Sequence, residues 1–302
     1  MMSHPILVPL PGYEQLAASI SGATGAEIGA LELRDFPDGE SYLRFACDVA
    51  GRSVILLCSL ARPNNRILPL LFAADAARDL GAGEVGLVAP YLAYMRQDRR
   101  FNPGEAITSQ SFARLLSGGF DWLVPVDPHL HRYPSLDAIY TIPARVVHAA
   151  PSTAHWIEAN VKDPVIVGPD VESEQWVREV AELAGAPHFV LSKTRAGDRD
   201  VAVVLPDIAP YAGRNPVLVD DIGSSGQTLV AAARCLARAG LEPRYCIVVH
   251  ALFDRSTAEI FGELPMRIVS TDTVPHASNG IALTSALATA IEQMRWNMSP
   301  RT

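Results

Sequence analysis

Short uninterrupted runs of valine, isoleucine and leucine recur along this 302-residue chain, and longer segments with helical spacing separate them. Ser53–Leu57 reads S-V-I-L-L, residues 83–91 end in V-G-L-V-A-P-Y, and residues 64–80 between them are rich in Leu and Ala. Strands without polar alternation are typical of parallel sheets with both faces covered by helices. The sequence therefore predicts an α/β fold.

The same alternation continues through the second half of the chain. Further strands are predicted at residues 122–126, 164–167, 187–191, 216–219 and 244–249, and further helices at residues 109–116, 172–184 and 228–239. Each half has a central strand-loop-helix unit flanked by strand-helix pairs, and the break falls near residues 148–153. We therefore expect two similar domains, residues 1–148 and 149–302, although no residue-level repeat demonstrates a duplication.

Composition narrows the class of protein. Hydrophobic residues make up 49% and charged residues 19% of the chain, which is typical of globular proteins. The net charge of -8 argues against a general binder of nucleic acid or acidic membranes. No uncharged apolar stretch approaches the ~18 residues of a membrane span, and the N-terminus lacks the signal-peptide pattern. We expect a cytoplasmic protein whose cysteines are free thiols: Cys47, Cys58, Cys235 and Cys246.

Residues 217–229, V-L-V-D-D-I-G-S-S-G-Q-T-L, are the most informative stretch. An apolar strand ends in Asp220 and Asp221, a loop of small residues follows, and a helix begins near Thr228. Glycines let successive backbone N–H groups converge on one anion, and a helix N-terminus adds positive partial charge. The turn therefore suits a phosphorylated sugar. The two carboxylates would face ribose hydroxyls or Mg²⁺, and the phosphate would contact Ser224, Ser225, Gly226, Gln227 and Thr228.

The alternative to a ligand site is an ordinary strand-to-helix turn with an aspartate cap, which many α/β proteins contain. Two adjacent carboxylates at a buried strand end favour a ligand or a cation, because an unpaired buried charge is unfavourable. The turn differs from a Walker A loop, since no lysine follows the glycines, and it lacks the G-x-G-x-x-G pattern. A phosphorylated sugar is thus the ligand class that the residues indicate.

The motif D-D-I-G-S-S-G-Q-T-L resembles the phosphoribosyl-pyrophosphate signature of the phosphoribosyltransferase fold. Five further segments resemble those of the ribose-phosphate pyrophosphokinase family in the family's own order, and details after Asp170 resemble its archaeal branch. They are F-P-D-G-E at 36–40, P-Y-L-A-Y-M-R-Q-D-R at 90–99, V-D-P-H at 126–129, G-P-D at 168–170 and K-T-R at 193–195. Each segment is weak alone, but their common order is specific.

This resemblance implies two phosphoribosyltransferase-like domains, each a mainly parallel sheet flanked by helices. It also implies transfer of the pyrophosphoryl group of Mg-ATP to the 1-hydroxyl of ribose 5-phosphate, which gives phosphoribosyl pyrophosphate and AMP for nucleotide biosynthesis. The N-terminal domain would serve the ATP side, and the C-terminal domain the ribose 5-phosphate side. The implied cofactor is Mg²⁺, and the implied assembly is a homodimer or a higher homo-oligomer.

The resemblance also implies individual roles. ATP would be bound by Phe36, Asp38 and Glu40 of a neighbouring subunit together with Arg96, Gln97, Asp98 and Arg99. The metal would be faced by His129 and Asp170, with the nearby His131 as a second candidate imidazole. The mobile catalytic loop would contribute Lys193 and Arg195.

Two alternatives stay open at the level of sequence. One is a non-catalytic regulatory paralogue, because Gln227 stands where the family usually has glycine, and a side chain there could crowd the phosphate or require a positive φ. Retention of Arg96, His129, Lys193 and Arg195 argues against it. The other is a phosphoribosyltransferase, which shares the turn but needs neither F-P-D-G-E nor R-Q-D-R.

Overall fold

The structure, a computed structural model, describes residues 4–195, 201–253, 261 and 264–298, and of residues 193–195, 201–203 and 296–298 it describes the backbone alone. The chain divides into two compact units. Unit 1 comprises Met1–Val147 together with Thr284–Thr302, and unit 2 comprises His148–Leu283.

Strands and helices alternate along the chain, as predicted. Up to residue 147 the elements are β1 (Ile6–Pro9), α1 (Glu14–Thr24), β2 (Glu27–Ile28), β3 (Leu31–Asp35), β4 (Ser41–Phe45), β5 (Ser53–Leu57), α2 (Ile67–Asp79), β6 (Glu84–Ala89), α3 (Thr108–Gly119) and β7 (Trp122–Pro125). The rest are α4 (Ala150–Asn160), β8 (Pro164–Gly168), α5 (Glu174–Leu183), β9 (His188–Val190), β10 (Ser192–Arg195), β11 (Val201–Val204), β12 (Asn215–Gly223), α6 (Gln227–Arg238), β13 (Tyr245–Ala251), β14 (Arg267–Thr271), β15 (Asn279–Ile281) and α7 (Thr284–Met298).

Unit 1 is built on a five-stranded sheet in the order β2-β1-β5-β6-β7, in which every neighbouring pair is parallel. The apolar runs of β5, β6 and β7 are almost wholly buried, as expected for parallel strands covered on both faces. Helix α2 packs against β5 and β6, and α1 packs against β1 and β2. The helices thus cover the faces of the sheet, and the loops that follow the strands lie at the carboxyl ends of the strands.

An antiparallel hairpin of β3 and β4 stands apart from the sheet of unit 1. None of the residues 31–45 is buried, and β4 lies alongside α2. The motif F-P-D-G-E forms the turn of this hairpin, where the Phe36 N–H donates to the Glu40 carbonyl at 2.7 Å. The turn is therefore presented to solvent.

Unit 2 is built on a six-stranded sheet in the order β15-β14-β13-β12-β8-β9, again with parallel neighbours. Helix α5 buries Val177, Val180 and Ala181, which recur at the spacing of one helical face. The strands β10 and β11 pair antiparallel in a separate hairpin. The buried side chains of the unit 2 sheet thus form two hydrophobic clusters.

The two units repeat one topology. Strands β9, β8, β12, β13 and β14 of unit 2 follow the same spatial order as β2, β1, β5, β6 and β7 of unit 1, and β15 extends the sheet. In both units an antiparallel hairpin comes between the second and third sheet strands of the chain. This confirms the predicted α/β fold with two mainly parallel sheets flanked by helices.

The C-terminal segment differs from the sequence-based division, which assigned residues 284–302 to the second domain. Helix α7 contacts α1 and β7, so the structure groups this segment with unit 1. The physical reason is tertiary packing, which local sequence does not encode. None of the described helices is long and apolar enough to cross a membrane.

Candidate functional site

The carboxyl ends of β8 and β12 form a crevice in unit 2. The two strands are neighbours, yet β8 leads through α5 to β9 on one side and β12 leads through α6 to β13 on the other. Ligands of open α/β sheets bind at such a switch point. Asp170 follows β8, and Asp220 and Asp221 lie near the end of β12, so the fold brings all three predicted aspartates to this crevice.

Strand β12 is longer than the sequence predicts. It was expected to end at residue 219, but it continues to Gly223 because its last residues pair with β13, with Asp220 opposite Val248 and Ile222 opposite His250. The adjacent aspartates therefore belong to the strand, and the loop predicted to bind phosphate is reduced to residues 224–226.

Asp220 lies close to the carboxylates of Asp221 and Asp170. Burial raises the pKa of Asp220 well above its usual value, and the negative charges of Asp221 and Asp170 raise it further. The Asp221 N–H donates to Oδ1 of Asp220 at 3.1 Å, and the Glu172 N–H donates to Oδ1 of Asp170 at 3.1 Å. A cation or a set of hydroxyl donors would stabilise the ionised form of this group.

The loop before α6 has the geometry of an anion-binding turn. Gly226 adopts the left-handed conformation with φ 69°, and the 12-residue helix α6 begins at Gln227. Gln227 is exposed, and it is absent from the described non-glycine residues with positive φ. The conformational demand therefore falls on glycine, and the sequence-based concern that Gln227 must adopt a positive φ is wrong. Ser224 and Thr228 are half-buried, and Ser225 is exposed.

The base of this loop is supported by Phe253, which the sequence analysis missed. A Cβ placed on Gly223 would lie 2.2 Å from Cζ of Phe253, whose side chain is 9% exposed. The Leu252 N–H donates to the Gly223 carbonyl at 2.8 Å, which holds the two segments together. Gly223 is thus required for close packing.

The predicted catalytic residues Lys193 and Arg195 lie on β10 of the unit 2 hairpin. Their backbones pair with Val203 and Val201 of β11. Their side chains, and residues 196–200, lie outside the described residues. Their catalytic role stays a prediction.

In unit 1 the segment R-Q-D-R follows β6. Arg96 and Arg99 are exposed, and Gln97 is half-buried. The side chain of Asp98 differs, because it is only 2% exposed and accepts hydrogen bonds from Nη1 of Arg132 at 2.9 and 3.0 Å. Asp98 therefore joins the loop after β6 to the loop after β7, and Arg132 is a second residue that the sequence analysis missed.

His129 and His131 follow β7 and lie against each other. Their ring centroids are 3.9 Å apart and the rings are nearly perpendicular. Nearby Asp127 has a φ of 31°, a strained conformation for a residue other than glycine. The structure therefore places both candidate imidazoles at the end of the strand beside β6.

The hairpin turn presents the remaining predicted ATP ligands. Phe36 is 41% exposed and packs edge-on against Tyr42, with ring centroids 6.1 Å apart. The guanidinium of Arg34 lies 4.9 Å from the Phe36 ring, and the Glu40 N–H donates to Oδ1 of Asp38 at 3.2 Å. An exposed aromatic ring held in this way offers a flat face to a partner group.

Each half of the chain matches a family of known proteins. Residues 6–118 match the family model described as the N-terminal domain of ribose phosphate pyrophosphokinase, and residues 135–283 match that of the phosphoribosyl transferase domain. The chain is 33% identical over 284 residues to a ribose-phosphate pyrophosphokinase of Methanopyrus kandleri, covering 93% of this chain and 96% of the relative. It is 31% identical over 285 residues to one of Methanothermobacter thermautotrophicus, covering 94% and 98%.

A solved structure also resembles the whole chain. The phosphoribosylpyrophosphate synthetase of Mycobacterium smegmatis matches with a TM-score of 0.84 and 24% identity, covering 98% of this chain and 100% of that one. At this identity the similarity concerns the fold, which agrees with the architecture described above.

Proposed function

Because this chain belongs to the ribose-phosphate pyrophosphokinase family, we propose that it transfers the pyrophosphoryl group of ATP to the 1-hydroxyl of ribose 5-phosphate. The products are phosphoribosyl pyrophosphate and AMP. The observation that carries the proposal in the structure is the crevice of unit 2, where two strand-borne aspartates precede a glycine turn and the N-terminus of α6.

Ribose 5-phosphate is the ligand of this crevice. The 5-phosphate contacts residues 224–228, where backbone N–H groups and the helix N-terminus favour an anion and the hydroxyls of Ser224, Ser225 and Thr228 add donors. Asp220 and Asp221 accept hydrogen bonds from the ribose hydroxyls. Sugar hydroxyls also relieve the repulsion between the carboxylates, because hydrogen bonds to the ionised form lower a raised pKa.

Magnesium fits the donor set of the crevice. Mg²⁺ prefers oxygen ligands and keeps several waters, so the carboxylates of Asp170, Asp220 and Asp221 suit it. His129 is a weaker candidate for direct contact, because imidazole nitrogen is not a preferred ligand of this hard cation, and it would face the bound metal–nucleotide without being a preferred ligand. When bound, Mg²⁺ neutralises charge on the phosphates during transfer.

The ATP side is assigned to unit 1. Arg96, Gln97 and Arg99 bind the nucleotide, and the exposed ring of Phe36 stacks on the base bound by a neighbouring subunit, with Asp38 and Glu40 beside it. Asp98 is a positioning residue in this proposal, since its carboxylate is buried against Arg132. The protein therefore acts as a homodimer or a higher homo-oligomer, and we place it in the cytoplasm.

The reaction forms one bond and breaks another at the β-phosphorus of ATP. The 1-hydroxyl oxygen attacks in line, the bond between the β-phosphorus and the bridging oxygen of AMP breaks, and the hydroxyl proton passes to solvent. Catalysis of this kind is mostly positioning and charge stabilisation. Lys193 and Arg195 are proposed to meet the negative charge that develops around the transferring group, and each such donor is typically worth about 3 kcal/mol.

The two alternatives are less consistent with the molecule. The regulatory paralogue was suggested by Gln227, but the left-handed position is Gly226 and the Gln227 side chain is exposed. The phosphoribosyltransferase alternative does not account for the match of residues 6–118 to the N-terminal domain of ribose phosphate pyrophosphokinase.

The test is an AMP-release assay on the purified full chain with Mg-ATP, with and without ribose 5-phosphate. We expect AMP and phosphoribosyl pyrophosphate in equal amounts, and only when the sugar phosphate is present. Consumption of phosphoribosyl pyrophosphate with a nucleobase, without use of ATP, would identify a transferase instead. Ribose 5-phosphate binding without turnover in the presence of Mg-ATP would identify a regulatory protein.

A further inference from the structure

Unit 1 has a second switch point that the proposed reaction leaves unused. Strand β1 leads through α1 to β2 on one side, whereas its neighbour β5 leads through α2 to β6 on the other. The connections thus diverge at the carboxyl ends of β1 and β5. Open α/β sheets bind ligands in the crevice at such a point. The proposed ATP ligands Arg96, Gln97 and Arg99 follow β6, and none of them lines this crevice.

The crevice contains a cavity of about 270 Å³. Leu10 and Pro11, which follow β1, line one side, and Arg62, Asn65 and Arg66, which follow β5, line the other. Leu33 of the hairpin adds an apolar contact. Two arginines and an asparagine therefore line a small, partly apolar space.

The two arginines have no acidic partner. In the part of the chain that the structure describes, no carboxylate lies within 4.0 Å of either guanidinium group. Nε of Arg66 donates to the Ala61 carbonyl at 3.2 Å, and its guanidinium lies 5.3 Å from the Tyr13 ring. These contacts orient Arg66 without neutralising it. Arginine presents paired N–H donors that match the oxygens of a phosphate.

Arg62 is held in a strained backbone conformation. Its φ is 54° and its ψ is 60°, the left-handed region, and proline follows it. This conformation is unfavourable for a residue other than glycine by about 1 kcal/mol, and such strain clusters at ligand sites. The Arg66 N–H donates to the Pro63 carbonyl at 3.0 Å, so a short 3-10 turn fixes the spacing of the two arginines.

The repeated topology gives a further reason to expect an anion here, and this reason rests on the phosphate that we propose at residues 224–228 of unit 2. Strand β5 occupies in unit 1 the place that β12 occupies in unit 2, and α2 corresponds to α6. The segment after β5 is therefore the counterpart of the turn at residues 224–226. Where unit 2 uses glycine N–H groups and a helix N-terminus, unit 1 offers two arginine side chains.

We propose that the cavity lined by Arg62, Asn65 and Arg66 binds a phosphate group, as inorganic phosphate or as the phosphate of a small ester such as a nucleoside monophosphate. The cavity volume suits a small ligand, since drug-sized pockets start at about 300 Å³. The site is additional to those of the proposed reaction and does not depend on that reaction.

The test locates the bound anion in crystals and measures its affinity in solution. Crystals of the full chain grown with saturating ribose 5-phosphate and soaked in tungstate, a heavy phosphate analogue, should show an anomalous peak between Arg62 and Arg66. In solution, titration calorimetry with inorganic phosphate and, separately, with AMP should show which form binds. Arg62→Gln and Arg66→Gln should each weaken that binding by about tenfold or more, since a hydrogen bond to a charged group is lost.

Arg114→Gln is the matched control, because Arg114 is an exposed arginine of the same unit on α3. It should leave the binding of both anions unchanged. Equal binding by wild type, Arg62→Gln and Arg66→Gln, or tungstate found only at residues 224–228, would overturn the proposal. AMP release by the same preparations separates the two conclusions, because an active enzyme without this site contradicts the second anion site alone.

Discussion

The ring of Phe253 occupies the space where a side chain on Gly223 would begin, with Cζ 2.2 Å from the position of a Cβ. Gly223→Ala should therefore displace the phosphate turn or the ring, at a cost of about 1–3 kcal/mol in the free energy of unfolding. We expect a raised KM for ribose 5-phosphate and an unchanged KM for ATP. Steady-state kinetics and urea unfolding measure both effects.

A double variant makes this test specific. Phe253→Leu added to Gly223→Ala should recover part of the lost affinity for ribose 5-phosphate, because the smaller side chain makes room for the methyl group. The coupling energy between the two changes should be favourable by at least about 0.5 kcal/mol. Strictly additive effects would show that the contact does not control the turn.

The left-handed conformation of Gly226 predicts different results for substitutions at two neighbouring positions. Gly226→Ala forces a Cβ into the left-handed region, which is unfavourable by about 1 kcal/mol, and it should raise the KM for ribose 5-phosphate. Gln227→Gly should leave that KM nearly unchanged, because Gln227 is exposed and begins the helix. A large gain in affinity from Gln227→Gly would show that this side chain does crowd the phosphate.

Asp220 predicts a pH dependence of stability in the metal-free protein. Its pKa in the folded state is raised by burial first and then by Asp221 and Asp170. The folded chain therefore keeps this proton to a higher pH than the unfolded chain, and the free energy of unfolding falls as pH rises from about 4 through the folded pKa. Asp220→Asn should remove this fall, which is about 1.4 kcal/mol per unit of raised pKa.

Magnesium provides the control for that prediction. Mg²⁺ favours the ionised carboxylate, so adding it at neutral pH should raise the melting temperature of the wild type more than that of Asp220→Asn. Denaturant titrations between pH 4 and pH 8, with EDTA and with Mg²⁺, provide the comparison. Parallel stability curves for the two proteins without metal would contradict the assignment.

The buried ion pair of Asp98 predicts a combined effect on stability and on ATP binding. Arg132→Met leaves a carboxylate that is 2% exposed without its partner, whereas the arginine itself is 40% exposed and partly screened. We expect a loss of about 1–3 kcal/mol in the free energy of unfolding and a raised KM for ATP alone. The exposed Arg145 gives the matched control, Arg145→Met, which should change neither quantity.

The proposed catalytic role of Lys193 can be tested cleanly, because Lys193 and Lys162 are the chain's two lysines. Lys193→Ala should lower kcat by about 10²-fold or more, as expected for loss of a donor to the transition state, while ribose 5-phosphate binding stays close to normal. Lys162→Ala removes an exposed charge of the same unit and should keep full turnover. Near-normal turnover of Lys193→Ala would remove the hairpin from the mechanism.

Much of the fold follows from the sequence because the central strands are uninterrupted apolar runs. The predicted strand at Ser53–Leu57 has the observed bounds, since its apolar residues end where the loop begins. Strand β12 was predicted too short, because Asp220 and Asp221 look like the start of a loop, and only the pairing of Asp220, Ile222 and Gly223 with β13 shows otherwise. Polar residues within a strand thus make its predicted end fall too early.

The sequence predicts which segments contribute to the site but not the contacts between them. The aspartates and the glycine turn were recognised from residue type and order, and the topology brings Asp170 beside Asp220. The supports were not recognisable, because Phe253 and Arg132 act through contacts between distant parts of the chain. The strained conformation of Arg62 is likewise a property of the folded backbone.

Helix α7 has a consequence for how the molecule is made. It packs on α1 and β7, so the whole of His148–Leu283 is inserted between two parts of unit 1. During translation the inserted unit is fully synthesised before the last helix of the outer unit leaves the ribosome, and domains generally fold as units. Unit 1 therefore cannot complete its packing until α7 has been made, and a chain cut short before Thr284 would contain a complete second unit and an incomplete first.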